Sequence, residues 1–234
     1  MIPLRDSTRS LRRPYVNWLL IALNLYIFFK EVMLPRDMLG QLFLLYGLIP
    51  ADVYYVLSAG GPILPVLITF ITSTFLHGGW LHVLGNMLYL FIFGDNVEDR
   101  LGHGRYLLFY LTAGIVAGAV QVLAAPTSQV PVVGASGAVA GVLGSYFITF
   151  PRARVLTLVP ILFFFTIVEV PAVIFLAIWF VLQVFNGTAS ISQSADMVAW
   201  WAHIGGFLSG MLGVLVLRRR RSHRPWYEDE YRPW

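Results

Sequence analysis

The chain of 234 residues contains no cysteine. It therefore forms no disulfide, carries no thiolate nucleophile and offers no cysteine ligand to a metal ion. Charged residues are also scarce, since Asp, Glu, Lys and Arg together make up 12% of the chain, and the formal net charge is only +4. Domains that bind nucleic acid through its phosphates usually carry more positive charge in clusters, so no nucleic-acid partner is expected.

Hydrophobic residues, in contrast, make up 58% of the chain, and the mean hydropathy is +0.73. This content is far above that of a soluble domain. The apolar residues fall into six runs, which cover residues 16–33, 66–93, 106–123, 136–150, 155–185 and 198–217. The sequence therefore predicts an all-α membrane protein with a bundle of six transmembrane helices and a long outer loop between helices 1 and 2.

Two of the runs are longer than the roughly 20 residues that cross a bilayer. We expect the second run to break at the glycine pair 78–79, with its helix beginning there. The fifth run contains Pro160 and Pro171, and a proline inside a helix removes a hydrogen bond and kinks or ends the helix. The fifth span is therefore predicted at residues 168–185, and residues 155–167 are predicted as an interfacial or re-entrant segment.

The arginine and lysine residues are divided unevenly between the two sides of this bundle. With the N terminus inside, only Lys30 and Arg36 fall on the outer side. Because short cytoplasmic loops carry an excess of these residues, both termini are expected in the cytoplasm, most simply at a bacterial inner membrane. The predicted domains are a cytoplasmic N-terminal segment (1–15), the membrane domain (16–217) and a basic, then acidic, cytoplasmic tail (218–234).

Two polar residues inside the apolar runs have the chemistry of a nucleophile and its base. Ser136 opens the fourth run within Gly134-Ala135-Ser136-Gly137, and His203 lies in the sixth run, seven residues after Asp196. A helix over 136–150 is about 22 Å long, so if its end is held at the inner interface, Ser136 lies about 8 Å below the outer surface. His203 comes to a similar depth, about 10 Å. Polar side chains at this depth are costly and usually functional.

Small residues would let the helices that carry Ser136 and His203 approach closely. They are Gly137, Ala140, Gly141 and Gly144 on one helix and Ala202, Gly206, Gly210 and Gly213 on the other. His82 and Asn86 are four residues apart, so they share one face of the second helix and could donate to a developing oxyanion. Each feature has a plainer interpretation, because small-residue stripes usually serve packing and a His-Asn pair often links helices.

Other polar residues have less definite roles. His77 is expected to order the loop before the second helix rather than to react. A charged cluster is predicted as an interfacial network at the cytoplasmic side, and it comprises Asp95, Glu98, Asp99, Arg100, His103 and Arg105. Glu169 and Gln183 in the fifth run are candidates for function without an assigned role, although Glu169 could simply be solvated.

Together these motifs resemble those of the rhomboid family of intramembrane serine proteases. The resemblance rests on segments 77–86, 94–102 and 134–137 and on Ala202-His203 with the glycines that follow. It implies that Ser136 and His203 form a dyad without an acid. It also implies that His82, Asn86 and the backbone N–H of Ser136 form an oxyanion hole. Glycines expected to support this site are Gly134, Gly137, Gly206 and Gly210.

The chain departs from some rhomboid proteins at two places. The outer segment 34–65 has no Trp-Arg pair, so no anchoring role can be assigned to one there. Where some members place a tyrosine that stacks on the histidine, one helical turn after the nucleophile, this chain has Ala140. The neighbours that orient His203 are therefore not identified by the sequence.

The favoured hypothesis is a serine endopeptidase, without metal or cofactor, that cleaves single-pass transmembrane proteins within the lipid bilayer. The resemblance implies lateral substrate entry between the second and fifth helices. The main alternative is a non-catalytic rhomboid-like binder of membrane clients, but such relatives typically lack the serine or the histidine. A transporter would show repeated halves or paired broken helices. A metalloprotease using His77, His82 and His203 lacks a His-Glu-x-x-His pair and an acidic third ligand.

Overall fold

The computed structural model of the chain describes residues 1–161, 164–190 and 199–217. Asp196 and the predicted tail at 218–234 lie outside these described residues. The elements in chain order are β1 (Ile2–Asp6), α1 (Tyr15–Val32), α2 (Arg36–Tyr46), α3 (Pro50–Ala59), α4 (Ile63–Thr72), a 3-10 helix (Ser73–Phe75), α5 (Trp80–Leu101), α6 (His103–Ala124), α7 (Ser136–Thr149), β2 (Arg154–Ile161), β3 (Phe164–Pro171), α8 (Ala172–Ser190) and α9 (Trp200–Leu217).

The described part of the chain is mostly helical, and several of its helices have the length and apolar composition of transmembrane helices. Four of its helices, α1, α6, α8 and α9, are long and apolar enough to cross a bilayer. The bent pair formed by residues 63–75 and α5 would be a fifth span. Helix α7 is apolar but has only 14 residues, about 21 Å, so it is too short to reach both surfaces. The chain is thus a multi-pass membrane protein.

The long second run is broken where the sequence predicts a break. Helix α5 begins at Trp80, directly after the glycine pair 78–79, and its axis is bent by 82° from that of residues 63–75. The preceding outer segment 34–65 folds into α2, α3 and the start of α4. Apolar side chains such as Leu45 and Tyr55 are exposed on α2 and α3, which is consistent with a position at the membrane interface.

A small antiparallel sheet, in the order β1-β2-β3, corrects the predicted start of the fifth span. Within the segment 155–167, predicted as interfacial or re-entrant, the described residues 155–161 and 164–167 belong to two antiparallel strands. Residues 168–171 belong to β3 rather than to the fifth span, so α8 begins only at Ala172. The β-branched and aromatic side chains of this run favour strands. Pro160 lies beyond the residues of β2 that pair with β1 and is paired only with Phe165 of β3.

Helix α7 lies in the centre of the bundle, between α6 and α9. Every residue from Gly137 to Tyr146 is buried, as expected for a helix that is apolar on all sides. A Cβ atom at Gly206 would clash with the carbonyl oxygen of Gly137, and one at Gly210 would clash with the carbonyl oxygen of Gly141. The backbones of α7 and α9 are therefore in direct contact along the small residues predicted to let these helices approach closely.

The charged cluster at the end of α5 holds neighbouring elements in place. Glu98 accepts hydrogen bonds from the backbone N–H groups of Val16 (3.0 Å) and Asn17 (2.7 Å), at the start of α1. Its other close partner is Nδ1 of His103, at 2.5 Å. A carboxylate at a helix N terminus binds N–H groups that have no partner within the helix. This part of the cluster is therefore structural.

The N-terminal strand is attached through the buried carboxyl group of Asp6, for which the sequence carries no local signal. Asp6 Oδ2 accepts hydrogen bonds from the hydroxyl of Tyr146 (2.5 Å) and from Nδ2 of Asn96 (2.9 Å). Burial, assisted by the nearby charge of Asp95, raises the pKa of Asp6 to about 7. The bond from Tyr146 opposes this shift but does not cancel it.

This raised pKa predicts that stability falls as pH increases. The pKa of Asp6 in the folded chain lies above its ordinary value of 3.8. The protonated Asp6 carboxyl therefore makes its full contribution to folding stability below pH 3.8. This contribution is lost as pH rises through about 7. Between about pH 5 and about pH 8 we expect the thermal unfolding midpoint in detergent to fall more for the natural chain than for Asp6→Asn. Equal falls in the two proteins would contradict the assignment.

Candidate active site

Ser136 lies at the N terminus of the buried helix α7, as its first residue. At this end the first N–H groups have no partner within the helix, and the helix dipole favours negative charge. Two residues earlier, Gly134 has φ of 128°, a conformation that favours glycine. A Cβ atom at Gly134 would also clash with the imidazole of His82. Glycine is therefore required in the turn that presents the serine.

The structure brings His203, in the first turns of α9, against this serine. Nε2 of His203 lies 2.8 Å from Oγ of Ser136, although the two residues are 67 positions apart. This distance is within the range in which a base can remove a hydroxyl proton. The close contact of α7 and α9 makes the pair possible, because bulkier residues at Gly144 or Gly206 would clash with the backbone of the facing helix. A bulkier residue at Gly137 would instead clash with Ala117 of α6.

The imidazole of His203 is oriented by residues of α8. Nδ1 of His203 lies 2.8 Å from Oε1 of Gln183. The ring of Trp179, one turn earlier on α8, lies with its centroid 6.0 Å from that of the imidazole. Trp200 approaches from another side, with its ring at 89° to the imidazole. These neighbours take the place of the aromatic residue that Ala140 does not provide.

Part of this arrangement had a signal in the sequence. Gln183 is a polar residue in a long apolar run, which is why it was a candidate for function, but its partner could not be named. Trp179 carried no signal, because aromatic residues are common in transmembrane helices. Glu169, the other candidate in that run, lies at the surface, 3.5 Å from Nη1 of Arg154. It is therefore not part of the site.

His82 and Asn86 lie on α5, the helix that begins after the bend. The side chain of His82 lies close to that of Ser136. A Cβ atom built at Gly134 would be within 3.6 Å of both Nε2 of His82 and Oγ of Ser136. Nδ1 of His82 accepts a hydrogen bond from the N–H of Gly78 at 3.4 Å. Nδ2 of Asn86 is buried and has no hydrogen-bond partner among the described residues. A buried free donor of this kind is suited to bind an oxyanion.

His77 has a structural role in the loop before α5. It is buried, and its Nε2 accepts a hydrogen bond from the N–H of Ala135 at 3.5 Å. Its own backbone N–H donates to the carboxylate of Glu31 at 3.2 Å. Its ring packs edge-on against His82 and Phe28. These contacts connect α1, the loop and the turn before Ser136, so His77 orders the loop, as expected.

The described residues contain no group of three His, Asp or Glu side chains that could hold a metal ion. The chemistry available at this site is that of a hydroxyl with an adjacent imidazole at a helix N terminus. The buried amide donor of Asn86, unpartnered among these described residues, lies on a neighbouring helix. Such an arrangement is suited to acyl transfer, in which a nucleophile, a base and oxyanion donors act together.

Comparison with known proteins identifies the family. The family model described as the Rhomboid domain matches residues 65–220, most of the chain. The chain belongs to the rhomboid family. The matched residues include both members of the Ser136–His203 pair as well as His82 and Asn86.

Several curated rhomboid proteins are similar to this chain. Rhomboid-like protein 11, chloroplastic, of Arabidopsis thaliana is 43% identical over 77 residues, which is 33% of this chain and 27% of that protein. The putative rhomboid protease YdcA of Bacillus subtilis (strain 168) is 40% identical over 76 residues, 32% of this chain and 38% of that protein. Rhomboid protein 1, mitochondrial, of Saccharomyces cerevisiae is 32% identical over 149 residues, 62% of this chain and 40% of that protein. The chain thus spans less than half the length of each of these relatives.

Proposed function

We propose that this rhomboid protein is an intramembrane serine endopeptidase that cleaves peptide bonds in or near the transmembrane segments of other membrane proteins. The observation that carries the proposal is the 2.8 Å contact between Oγ of Ser136 and Nε2 of His203 at the N terminus of a short buried helix. The name of the Bacillus subtilis relative, a putative rhomboid protease, supports the same class of activity. A non-catalytic binder of membrane clients has no evident need for this pair.

In the proposed mechanism, Oγ of Ser136 attacks the carbonyl carbon of the scissile peptide while Nε2 of His203 takes the hydroxyl proton. The carbonyl oxygen becomes an oxyanion, to which the N–H of Ser136, the side chain of His82 and the amide of Asn86 donate. His203 then gives its proton to the leaving amine, and the acyl-enzyme forms. Water attacks the acyl-enzyme, passes a proton to His203, and the serine is released when that proton returns to Oγ.

We propose that the short helix α7, the fourth of the six predicted spans, completes the bundle and is surrounded by the five other spans. A helix of 14 residues, about 21 Å long, ends inside a hydrocarbon layer of about 30 Å. Ser136 would then lie below the membrane surface and yet be reached by water from the outer side. A peptide bond can react at that depth only when the substrate helix is locally unwound, because a helical carbonyl is already hydrogen-bonded and shielded.

The proposed location is a bacterial cell membrane, with both termini in the cytoplasm. The arginine distribution supports this orientation. The pairing of β1 with β2 supports it further, because it holds the N-terminal strand at the same end of the bundle as the connection from α7 to α8. In this arrangement residues 1–15 and 218–234 are cytoplasmic segments that flank the membrane domain at 16–217.

Cleavage of a model single-pass substrate tests the function. We expect cleavage near the outer end of the span, after a small residue such as alanine, when glycine, proline or polar residues just downstream weaken the helix. Replacing those residues by leucine, with the cleaved bond kept, should lower the rate about tenfold or more. Undiminished cleavage of the leucine version would show that helix instability is not recognised. Binding of the substrate without any cleavage would instead favour the client-binding alternative.

A further inference from the structure

We propose that Gln183 is a positioning residue, which holds His203 in the one neutral tautomer that can act as the base for Ser136. This inference rests on the proposed function, in which Nε2 of His203 takes the serine proton. It adds a third helix to the site, because Gln183 lies on α8 whereas Ser136 and His203 lie on α7 and α9.

The hydrogen bonds of the Gln183 amide define which of its ends faces His203. Nε2 of Gln183 donates to the backbone carbonyl oxygen of Trp179 at 3.1 Å. A carbonyl oxygen only accepts, so the amide nitrogen belongs on that side. Oε1 of Gln183 therefore faces Nδ1 of His203, at 2.8 Å. The reversed amide would place two oxygens against each other at Trp179.

This orientation determines where the imidazole carries its hydrogen. Oε1 of Gln183 has no hydrogen to donate, so the bond to His203 requires a hydrogen on Nδ1. A neutral imidazole has a single N–H, and Nε2 is then left with a free lone pair. That lone pair faces Oγ of Ser136 at 2.8 Å, where it can accept the hydroxyl proton. The chain of bonds from Trp179 to Ser136 thus has one consistent direction.

The surroundings of Gln183 protect its hydrogen bond to His203 from competition. Gln183 is only 7% exposed, so water competes little for its oxygen. Trp179 both anchors the amide through its carbonyl and packs its ring beside the imidazole, with the centroids 6.0 Å apart. A neutral amide can orient the imidazole but cannot neutralise the imidazolium that forms during the reaction. We therefore expect a smaller contribution than that of the aspartate in a Ser-His-Asp triad.

The tautomer of His203 gives a test that does not depend on proteolysis. We would record nitrogen NMR shifts of the histidine side chains in the Ser136→Ala chain, where the serine can no longer influence the imidazole. The chain has five histidines, so His203 is assigned by comparison with a chain that also carries His203→Ala. The expected result is a hydrogen on Nδ1. Gln183→Met, similar in length but without the acceptor, should move the population toward a hydrogen on Nε2.

Two further variants separate positioning from general packing. Gln183→Glu keeps an acceptor oxygen at the same reach and should keep the hydrogen on Nδ1. Gln121→Met is the matched control, because Oε1 of Gln121 accepts from the N–H of Ala202, beside His203, without contacting the imidazole. It should leave the tautomer unchanged. If Gln183→Met does not fold, Gln183→Leu also lacks the acceptor and gives the same measurement.

Kinetics in the chain that retains Ser136 complete the test. Gln183→Met should lower kcat about tenfold, the scale of one neutral hydrogen bond, with little change in KM, and Gln183→Glu should restore most of it. An unchanged tautomer in Gln183→Met, or a hydrogen on Nε2 when Gln183 is present, would overturn the inference. A natural chain that cleaves no substrate but shows the expected tautomers would overturn the proposed function and leave the positioning role intact.

Discussion

Ser136→Ala and His203→Ala should each reduce cleavage of the model substrate by at least about 10³-fold while the protein remains folded. The reason is that the 2.8 Å contact makes the two residues one chemical unit, and neither the hydroxyl nor the imidazole can transfer the proton alone. Double replacement should lower the rate little further, since members of such a unit are strongly non-additive.

Ser145→Ala is the matched control for the serine variant. Ser145 lies on the same helix, is fully buried, and its hydroxyl has no hydrogen-bond partner among the described residues. Removing that hydroxyl should leave both folding and the cleavage rate near those of the natural chain. If Ser136→Ala retained activity comparable to that of Ser145→Ala, Ser136 would not be the nucleophile.

The second large effect is expected at the oxyanion donors. Asn86→Ala should lower kcat by about 10²- to 10³-fold with little change in KM, because the amide would bind charge that develops only in the transition state. The structural basis for this expectation is the buried Nδ2 of Asn86, which has no hydrogen-bond partner within the part of the chain that the structure describes. His82→Ala should lower kcat as well, and more so if loss of its contacts with His77 and Gly134 loosens the turn before Ser136.

Asn24→Ala provides the comparison for Asn86. Asn24 is a buried asparagine of α1, and its Nδ2 donates to the carbonyl oxygen of Leu20 in its own helix. Its replacement should change thermal stability rather than kcat. A rise in KM at constant kcat for Asn86→Ala would make Asn86 a substrate-binding or structural residue instead.

The helices and the meeting of Ser136 with His203 could be anticipated because their signals are local. Apolar runs mark the spans, the glycine pair 78–79 marks the start of α5, and small residues mark the contact of α7 with α9. Counting residues from the interface places a serine and a histidine at similar depth. Depth and packing together are sufficient to predict that the two side chains can meet.

Other features depend on long-range contacts that no local pattern encodes. The sheet requires the N-terminal strand β1 to reach β2, and the pair Ile2 and Leu158 is separated by most of the chain. The prolines at 160 and 171 excluded a continuous helix but did not indicate a hairpin. The partner of Gln183 depends on how α8 is rotated about its axis, and an apolar run exposed to lipid on one side does not specify that rotation.

The most direct test of the Ser136–His203 dyad is to map the adduct formed by a serine-directed fluorophosphonate on the natural chain in detergent. We expect a covalent adduct on Ser136, located by mass spectrometry, that is lost in Ser136→Ala and strongly reduced in His203→Ala, because the imidazole activates the hydroxyl. Ser145→Ala should be labelled like the natural chain. No adduct on a folded chain, or an adduct on another serine with Ser136 unmodified, would contradict the central claim that Ser136 and His203 act together as nucleophile and base.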